Sequence, residues 1–539
     1  EAQAGNNITL TIDARIQAIV EKYVTQAVND NDVRHRAAAV AINPKTGEIL
    51  AMATCDKDGS YSLNQPFELS PNVKETLPAA AKVLMDTDPE KDLTQEQAMQ
   101  QAESNALSAM WRNKAVSDVY YPGSVFKMVT ASMALEENLI TSSTGFYCSG
   151  EQKVPGYGNI SCHLSGGHGA QTFEEIIWHS CNPGFIQLGN MLGSRKFYEY
   201  YQAFGYSQRS GVDMPGESDD IFFSVTDGEF NSVSLATASF GQNFGITPIQ
   251  MVTAASVIAN GGNLVTPYVV KQITDQDGNI IKTTEPKIKR QVISAEVAAR
   301  MRDILEENAI SGGGKNGYVA GYRVAGKTGT TEKIGLSDVP GQKDYISSYC
   351  GFAPADDPQI AILIMCDTPK GDNYYGSMVA APAFASIMAE VAQYLEIEPR
   401  YTAEELENVS INVDSYIGLT VKDARAKAKE KNLTVTVKGE GEKVLAQIPQ
   451  TGSKIPSGGN VVLYTDTESA AQTSTVPDFV GLTEDEVYAL AESSGVNVSV
   501  TGLSGADNSI STEQSIVPGS KVNPGTVVTV KFVTSGYAD

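Results

Sequence analysis

At 539 residues the chain is long enough for more than one domain, each with its own core. Its 40 basic and 64 acidic residues give a formal net charge of −24, which excludes a surface built as a whole for nucleic acid or an anionic membrane. No apolar run approaches the ~18 residues needed to cross a bilayer, and the residues from Glu1 onward do not read as a signal peptide.

In chain order, residues 7–13 read as a short strand and residues 14–28 as a helix with Ile16, Ile19, Val20 and Val24 on one side. Residues 37–42 and 48–53 read as two strands around the turn sequence Asn43-Pro44-Lys45-Thr46-Gly47. Residues 55–110 are polar and acidic, with a helix over 94–110, and are expected to form an insertion covering one side of a groove. Then comes Tyr121-Pro122-Gly123-Ser124-Val125-Phe126-Lys127. Pro122 and Gly123 break the preceding segment, and Val125, Met128, Val129, Met133 and Leu135 follow helical spacing as far as Glu136. Ser124 therefore falls in a first helical turn, and Lys127 at i+3 projects from the same face. A serine is a weak nucleophile unless a base takes its proton, and a lysine does so only when burial or a second cation lowers its pKa.

A helix over 173–179 is predicted to deliver Ser180-Cys181-Asn182, and a strand over 322–325 leads into Lys327-Thr328-Gly329-Thr330. An earlier Lys45-Thr46-Gly47 precedes the serine and reads only as turn chemistry. A Tyr-rich helix is expected near 197–203 and further helices over 248–260 and 294–309, the last stopped by Ser311-Gly312-Gly313-Gly314. Strands are expected over 345–352 and 360–366, the second covered on both faces. Cys148, Cys162, His163 and His168 crowd into 21 residues of a chain with six Cys and four His. Three states fit that spacing: a Cys148–Cys162 disulfide, unlinked side chains, or structural zinc on Cys148, Cys162 and His168. The fourth zinc ligand is open among His163, His179 and Asp118, and Cys181 reads as a small apolar filler.

Beyond residue 395 the composition changes and a repeat begins. Gly418-Leu419-Thr420 recurs 63 positions later as Gly481-Leu482-Thr483, and Gln447 recurs 67 positions later as Gln514. The four extra residues are expected in a loop around Ser504 to Asn508. Each copy reads as helix (421–430; 484–492), strand, Pro/Gly turn and a terminal strand of alternating valines.

The motifs S-x-x-K, S-x-N and K-T-G in this order, with Arg112-Asn113, Phe240-Gly241-Gln242, Thr247-Pro248-Ile249-Gln250, Asn260-Gly261-Gly262 and Gly351-Phe352-Ala353-Pro354 around them, resemble class B penicillin-binding proteins over residues 5–400. These are the monofunctional transpeptidases that crosslink peptidoglycan. The repeats resemble PASTA modules. The resemblance implies an α/β (α+β) fold: a central, mostly antiparallel sheet flanked by helices, an all-helical subdomain, and two small α/β modules. It divides the chain into a transpeptidase domain (1–398), a linker (399–407) and PASTA modules at 408–467 and 474–535.

By the same resemblance Ser124 attacks a D-Ala-D-Ala carbonyl, Lys127 is the base, Ser180 relays a proton and Asn182 holds the substrate amide. Lys327 and Thr328 bind the substrate carboxylate. Gly329 and Thr330 belong to the strand beside which the peptide adds, Gly329 leaving room for it. No cofactor is implied for acyl transfer. The expected partners are stem peptides, β-lactams and a glycosyltransferase of division, elongation or sporulation, with no nucleic acid. The expected place is the extracytoplasmic face of a Gram-positive cell membrane, reached through an N-terminal anchor outside this stretch. Alternatives on the same scaffold are a carboxypeptidase, a β-lactamase or a non-catalytic sensor. The E-x-x-x-N spacing of class A β-lactamases does not occur between Asn182 and Lys327.

Overall fold

The run Ile360-Ala361-Ile362-Leu363-Ile364-Met365, apolar at every position, forms the middle of a five-stranded sheet in the computed structural model. The structure describes residues 5–55, 66–87, 93–224, 228, 230–334, 343–397, 399–400, 402, 405, 410–431, 433–456, 459–466, 473–502, 509–522 and 526–534. It falls into two units, Glu1–Glu398 and Pro399–Ala538. The loop expected around Ser504 to Asn508 and most of the linker lie outside the described residues.

The sheet of the first unit comprises β1 (Val33–Ile42), β2 (Ile49–Cys55), β3 (Ala325–Glu332), β4 (Tyr345–Ala353) and β5 (Ile360–Pro369). Its order is β3-β4-β5-β1-β2, every pairing antiparallel, so β3 is an edge strand. The helices that position the site are α1 (Ala14–Asp30), α2 (Lys127–Glu136), α3 (Phe173–Trp178), α4 (Asn182–Ala203), α5 (Pro248–Ala259), α6 (Ala295–Ile310) and α7 (Gly376–Tyr394). Successive strand residues point to opposite faces, and both faces are covered. Ala37, Ala39, Ala41, Ile362 and Ile364 pack in one core with Ile16 and Val20 of α1 and Val379 and Phe384 of α7. Ala38, Val40, Ala361 and Leu363 pack in the other with α2 and α5. Asp13 caps α1 by accepting from the Arg15 and Ile16 N–H groups, a short acidic side chain ahead of an apolar stripe.

Three sequence expectations need correction. The strand leading to Lys327 begins at Ala325, because Arg323 adopts φ 48° and turns the chain just before it. The insertion forms two helices, Pro71–Thr87 and Gln95–Trp111, that bury Leu69, Leu77, Ala81, Ala98 and Ala102 against one another. Leaving the sheet at β2, the edge opposite β3, they contribute no residue to the groove described below. Lastly, the Tyr-rich helix near residue 200 is the end of the longer α4, which is broken at Gly193.

The second unit contains the repeat twice. In each copy the strand after the helix runs parallel to the terminal strand, and a third strand pairs antiparallel on the terminal strand's other side. The helices are Val421–Glu430 and Glu484–Ser494. The recurring glutamines explain why they recur. Gln447 Oε1 accepts from the Tyr416 N–H at 2.7 Å, and Gln514 Oε1 accepts from the Phe479 N–H at 2.7 Å. Their amides donate to Asp414 and Pro449 carbonyls in one copy and to Pro477 and Ile516 carbonyls in the other. One side-chain amide thus satisfies three backbone groups, two on the segment ahead of the helix and one just past the glutamine itself.

Candidate active site

Gly123 and Phe126 fix the turn that carries Ser124. Residues Gly123–Phe126 form a 3-10 turn that runs into α2 and carries the half-buried Ser124. Gly123 has φ 56°, and a Cβ there would lie 1.8 Å from Thr331 Oγ1, so only glycine lets this turn press against β3. Phe126 anchors it from below, with ring centroids 4.9 Å from Phe244 and 5.6 Å from Tyr206.

Lys127, the first residue of α2, is wholly buried. Its Nζ donates to the Ser180 carbonyl, to Ser180 Oγ at 3.1 Å and to Asn182 Oδ1 at 2.9 Å. Burial first, and the Lys327 charge second, lower its pKa to about 7. Ser180 owes its place to two helices. A Thr172–Glu175 capping box starts α3, Cys181 caps α4, and Ser180 between them takes the left-handed φ of 51°. On β3, Lys327 Nζ donates to Ser180 Oγ at 3.1 Å and to Thr328 Oγ1 at 3.3 Å. One hydroxyl thus lies at the same distance from two buried lysine nitrogens. Asn308 steadies the strand from α6, donating to the Gly326 carbonyl at 2.7 Å.

Ser124, Ser180, Asn182, Thr328 and Thr330 line one cavity of about 360 Å³, within the usual range for small-molecule sites. Lys127 and Lys327 lie behind it, bonded to Ser180. Gly329 also has a reason within the protein: a Cβ there would meet Ser348 Oγ at 2.5 Å and the Pro122 carbonyl at 3.1 Å, so the bare backbone lets β4 and the turn of Ser124 pack against β3. Sequence reasoning missed the far wall of the cavity. Glu332, Lys343, Tyr345, Tyr374 and Tyr375 also line it, and no motif marks them, because they meet only when the end of β3, the start of β4 and the segment before α7 come together.

The Cys/His loop lies across the groove, where Cys162 and His163 join the cavity wall. Cys148 and Cys162 are free thiols, not a disulfide. Among the described residues the compact donor set is Cys148, Cys162, His168 and Cys181, with ligand atoms all within 4.8 Å of one another. Cys181 therefore belongs to the cluster and is more than a filler. Asp118 is excluded as a ligand, since Arg36 and Arg112 hold its carboxylate. His179 stacks on His168 at 4.9 Å and faces Gln171, and His163 lies 3.8 Å from Cys162 Sγ, both outside the set. A hydrogen bond with Cys181 lowers the pKa of the Cys162 thiol and raises that of its partner.

Two buried lysines around Ser180, beside the turn of Ser124 and an edge strand, bring together the S-x-x-K, S-x-N and K-T-G residues that mark penicillin-interacting proteins. Residues 37–389 match the penicillin-binding protein transpeptidase domain, and residues 411–467 and 474–534 match the PASTA domain. The chain belongs to the penicillin-binding protein transpeptidase family. It is 34% identical over 470 residues to stage V sporulation protein D of Bacillus subtilis, covering 85% of this chain and 65% of that one. It is 27% identical to the peptidoglycan D,D-transpeptidase FtsI of Escherichia coli, covering 74% and 58%. The crystal structure of Mycobacterium tuberculosis penicillin-binding protein 3 with ampicillin superposes with a TM-score of 0.59 at 26% identity, covering 75% and 81%. The chain thus spans about two thirds or less of the length of these curated relatives.

Proposed function

We propose that the chain is a peptidoglycan DD-transpeptidase acting through an acyl-enzyme on Ser124, and that β-lactams block it by acylating the same serine. The supporting observation is the position of Ser180 Oγ, 3.1 Å from both Lys127 Nζ and Lys327 Nζ, with Lys127 lowered to about 7. Neutral Lys127 takes the Ser124 proton as Oγ attacks the penultimate D-alanine carbonyl. The oxyanion is held by the Ser124 and Thr330 N–H groups, each worth about 3 kcal/mol. As the C–N bond breaks, the departing D-alanine amine takes a proton passed from Lys127 through Ser180. An amine of a second strand then attacks the ester, losing its proton to the same relay and restoring Ser124. Lys327 and Thr328 bind the substrate carboxylate, Asn182 orients the acyl amide, and Gly329 and Thr330 lie in the strand along which the peptide adds. Acyl transfer of this kind requires no cofactor. In this reading residues 1–398 are the transpeptidase domain, 399–407 a linker, and 408–467 and 474–535 the PASTA modules. The protein works on the extracytoplasmic face of a Gram-positive membrane with a glycosyltransferase of division, elongation or sporulation. Fluorescent penicillin should label the protein and fail to label Ser124→Ala; equal labelling of the variant would sink the assignment.

A structural zinc ion on Cys148, Cys162, His168 and Cys181 completes the reading. Three thiolates and an imidazole are a zinc donor set, and bonds of ~2.3 Å place tetrahedral donors about 3.8 Å apart, near the spacing seen. Because Cys181 lies between Ser180 and Asn182, the ion would clamp the S-x-N loop. Protein purified without added metal should contain one equivalent of zinc, and chelation should lower both its Tm and its acylation rate. Metal-free protein with an unchanged Tm would exclude the ion.

A further inference from the structure

Strand alternation puts Thr328, Thr330 and Glu332 on the same side of β3, and all three line the groove. This inference rests on the DD-transpeptidase reading. A donor peptide that adds antiparallel to β3 with its terminal carboxylate at Thr328 runs toward Glu332 as it is followed backwards. Its acyl residue lies beside Gly329 and Thr330, and the side chain of the residue before that reaches the end of the strand. There Glu332 Oε2 accepts from Lys343 Nζ at 2.8 Å, with side chains 32% and 64% exposed. Tyr345 and Tyr374 stack beside the pair with centroids 4.0 Å apart, Tyr375 follows at 4.4 Å from Tyr374, and Tyr345 and Tyr375 also line the groove. The groove thus ends in an aromatic wall next to adjacent negative and positive charges.

We infer that Glu332 and Lys343 read the third stem-peptide residue, selecting a side chain that ends in an amino-acid zwitterion, as in meso-diaminopimelate. Glu332 takes the distal ammonium and Lys343 the distal carboxylate, in exchange for each other, while the methylene arm lies on the tyrosines. A lysine side chain satisfies Glu332 alone. An uncharged residue satisfies neither and leaves the pair as it is.

The test uses the full chain and three synthetic donors ending in D-Ala-D-Ala that differ only in the third residue: meso-diaminopimelate, L-lysine or L-alanine. Each is measured by the concentration that halves the rate of fluorescent-penicillin labelling, and by calorimetric binding to Ser124→Ala. The diaminopimelate donor should bind about tenfold more tightly than the alanine donor, with lysine between them, as two charge-assisted contacts at a half-exposed site allow. Glu332→Gln should erase the advantage of both cationic donors over alanine. Lys343→Met should bring the diaminopimelate donor down to the lysine level. Comparing donors within each variant separates recognition from altered folding, and the wild-type ranking decides even if a variant is unstable. Equal binding of the three donors by the wild type, or variants that lose one common factor for all three, would overturn the inference. Failure of penicillin to label Ser124 would instead strike the underlying reading, since the calorimetric ranking does not depend on acylation.

Discussion

In the proposed reaction Lys127 can serve as the base only because its surroundings make its neutral form accessible near neutral pH. Desolvation is the larger cause and the Lys327 charge the smaller, and both favour loss of the proton. The base is active when deprotonated, so acylation should rise with pH through a midpoint near 7, falling about tenfold per pH unit below it. Removing the second cation in Lys327→Met relieves one of the two causes. The midpoint should then move to higher pH, alongside weaker capture of the substrate carboxylate. Stopped-flow penicillin acylation from pH 5 to 9 measures both effects. An acid shift in the variant, or a flat wild-type profile, would remove Lys127 as the base.

The elements that hold Ser124 and β3 in register share a chain of buried charges. Asp118, six residues before Ser124, binds Arg112 at 2.5 Å and also Arg36 on β1. Arg36 reaches Asp367 on β5 at 3.3 Å, and Asp367 takes Lys333 at the end of β3 at 2.8 Å. Asp118, Lys333 and Asp367 are each more than 90% buried. Breaking such a pair from one side strands a charge, so Asp367→Asn should cost about 3–5 kcal/mol, read by chemical denaturation, and acylation should slow as β3 loses its tether. Adding Lys333→Met should recover part of the stability, whereas additive losses would show that the two residues are not coupled. None of this chain was apparent in the sequence, because its members are scattered from residue 36 to residue 367. The motif residues that meet at the groove were legible, since S-x-x-K, S-x-N and K-T-G concentrate their information in adjacent positions. The helix Pro71–Thr87 was not, for Pro78 lies inside it and obscures the signal. Cys181 was misread because a thiol within S-x-N acquires its meaning only when Cys148, Cys162 and His168 fold around it.

At the scale of the whole molecule, chemistry and repeats fall into different units. Every residue that lines the groove, and both lysines behind it, belongs to Glu1–Glu398. That unit has two cores of its own on the faces of its sheet. The repeats close separate cores around Tyr416 and Val461 and around Phe479 and Val528, and each satisfies its buried backbone with its own glutamine. Domains that bury their own apolar surface and pair their own strands fold independently of a tethered neighbour. Truncation after residue 398 should therefore leave a folded protein whose penicillin acylation rate stays within about twofold of the full chain. The comparison needs only circular dichroism to establish folding and the labelling assay for rate. A truncated protein that keeps its secondary structure and cooperative melting but acylates an order of magnitude more slowly would assign the repeats a part in shaping the groove.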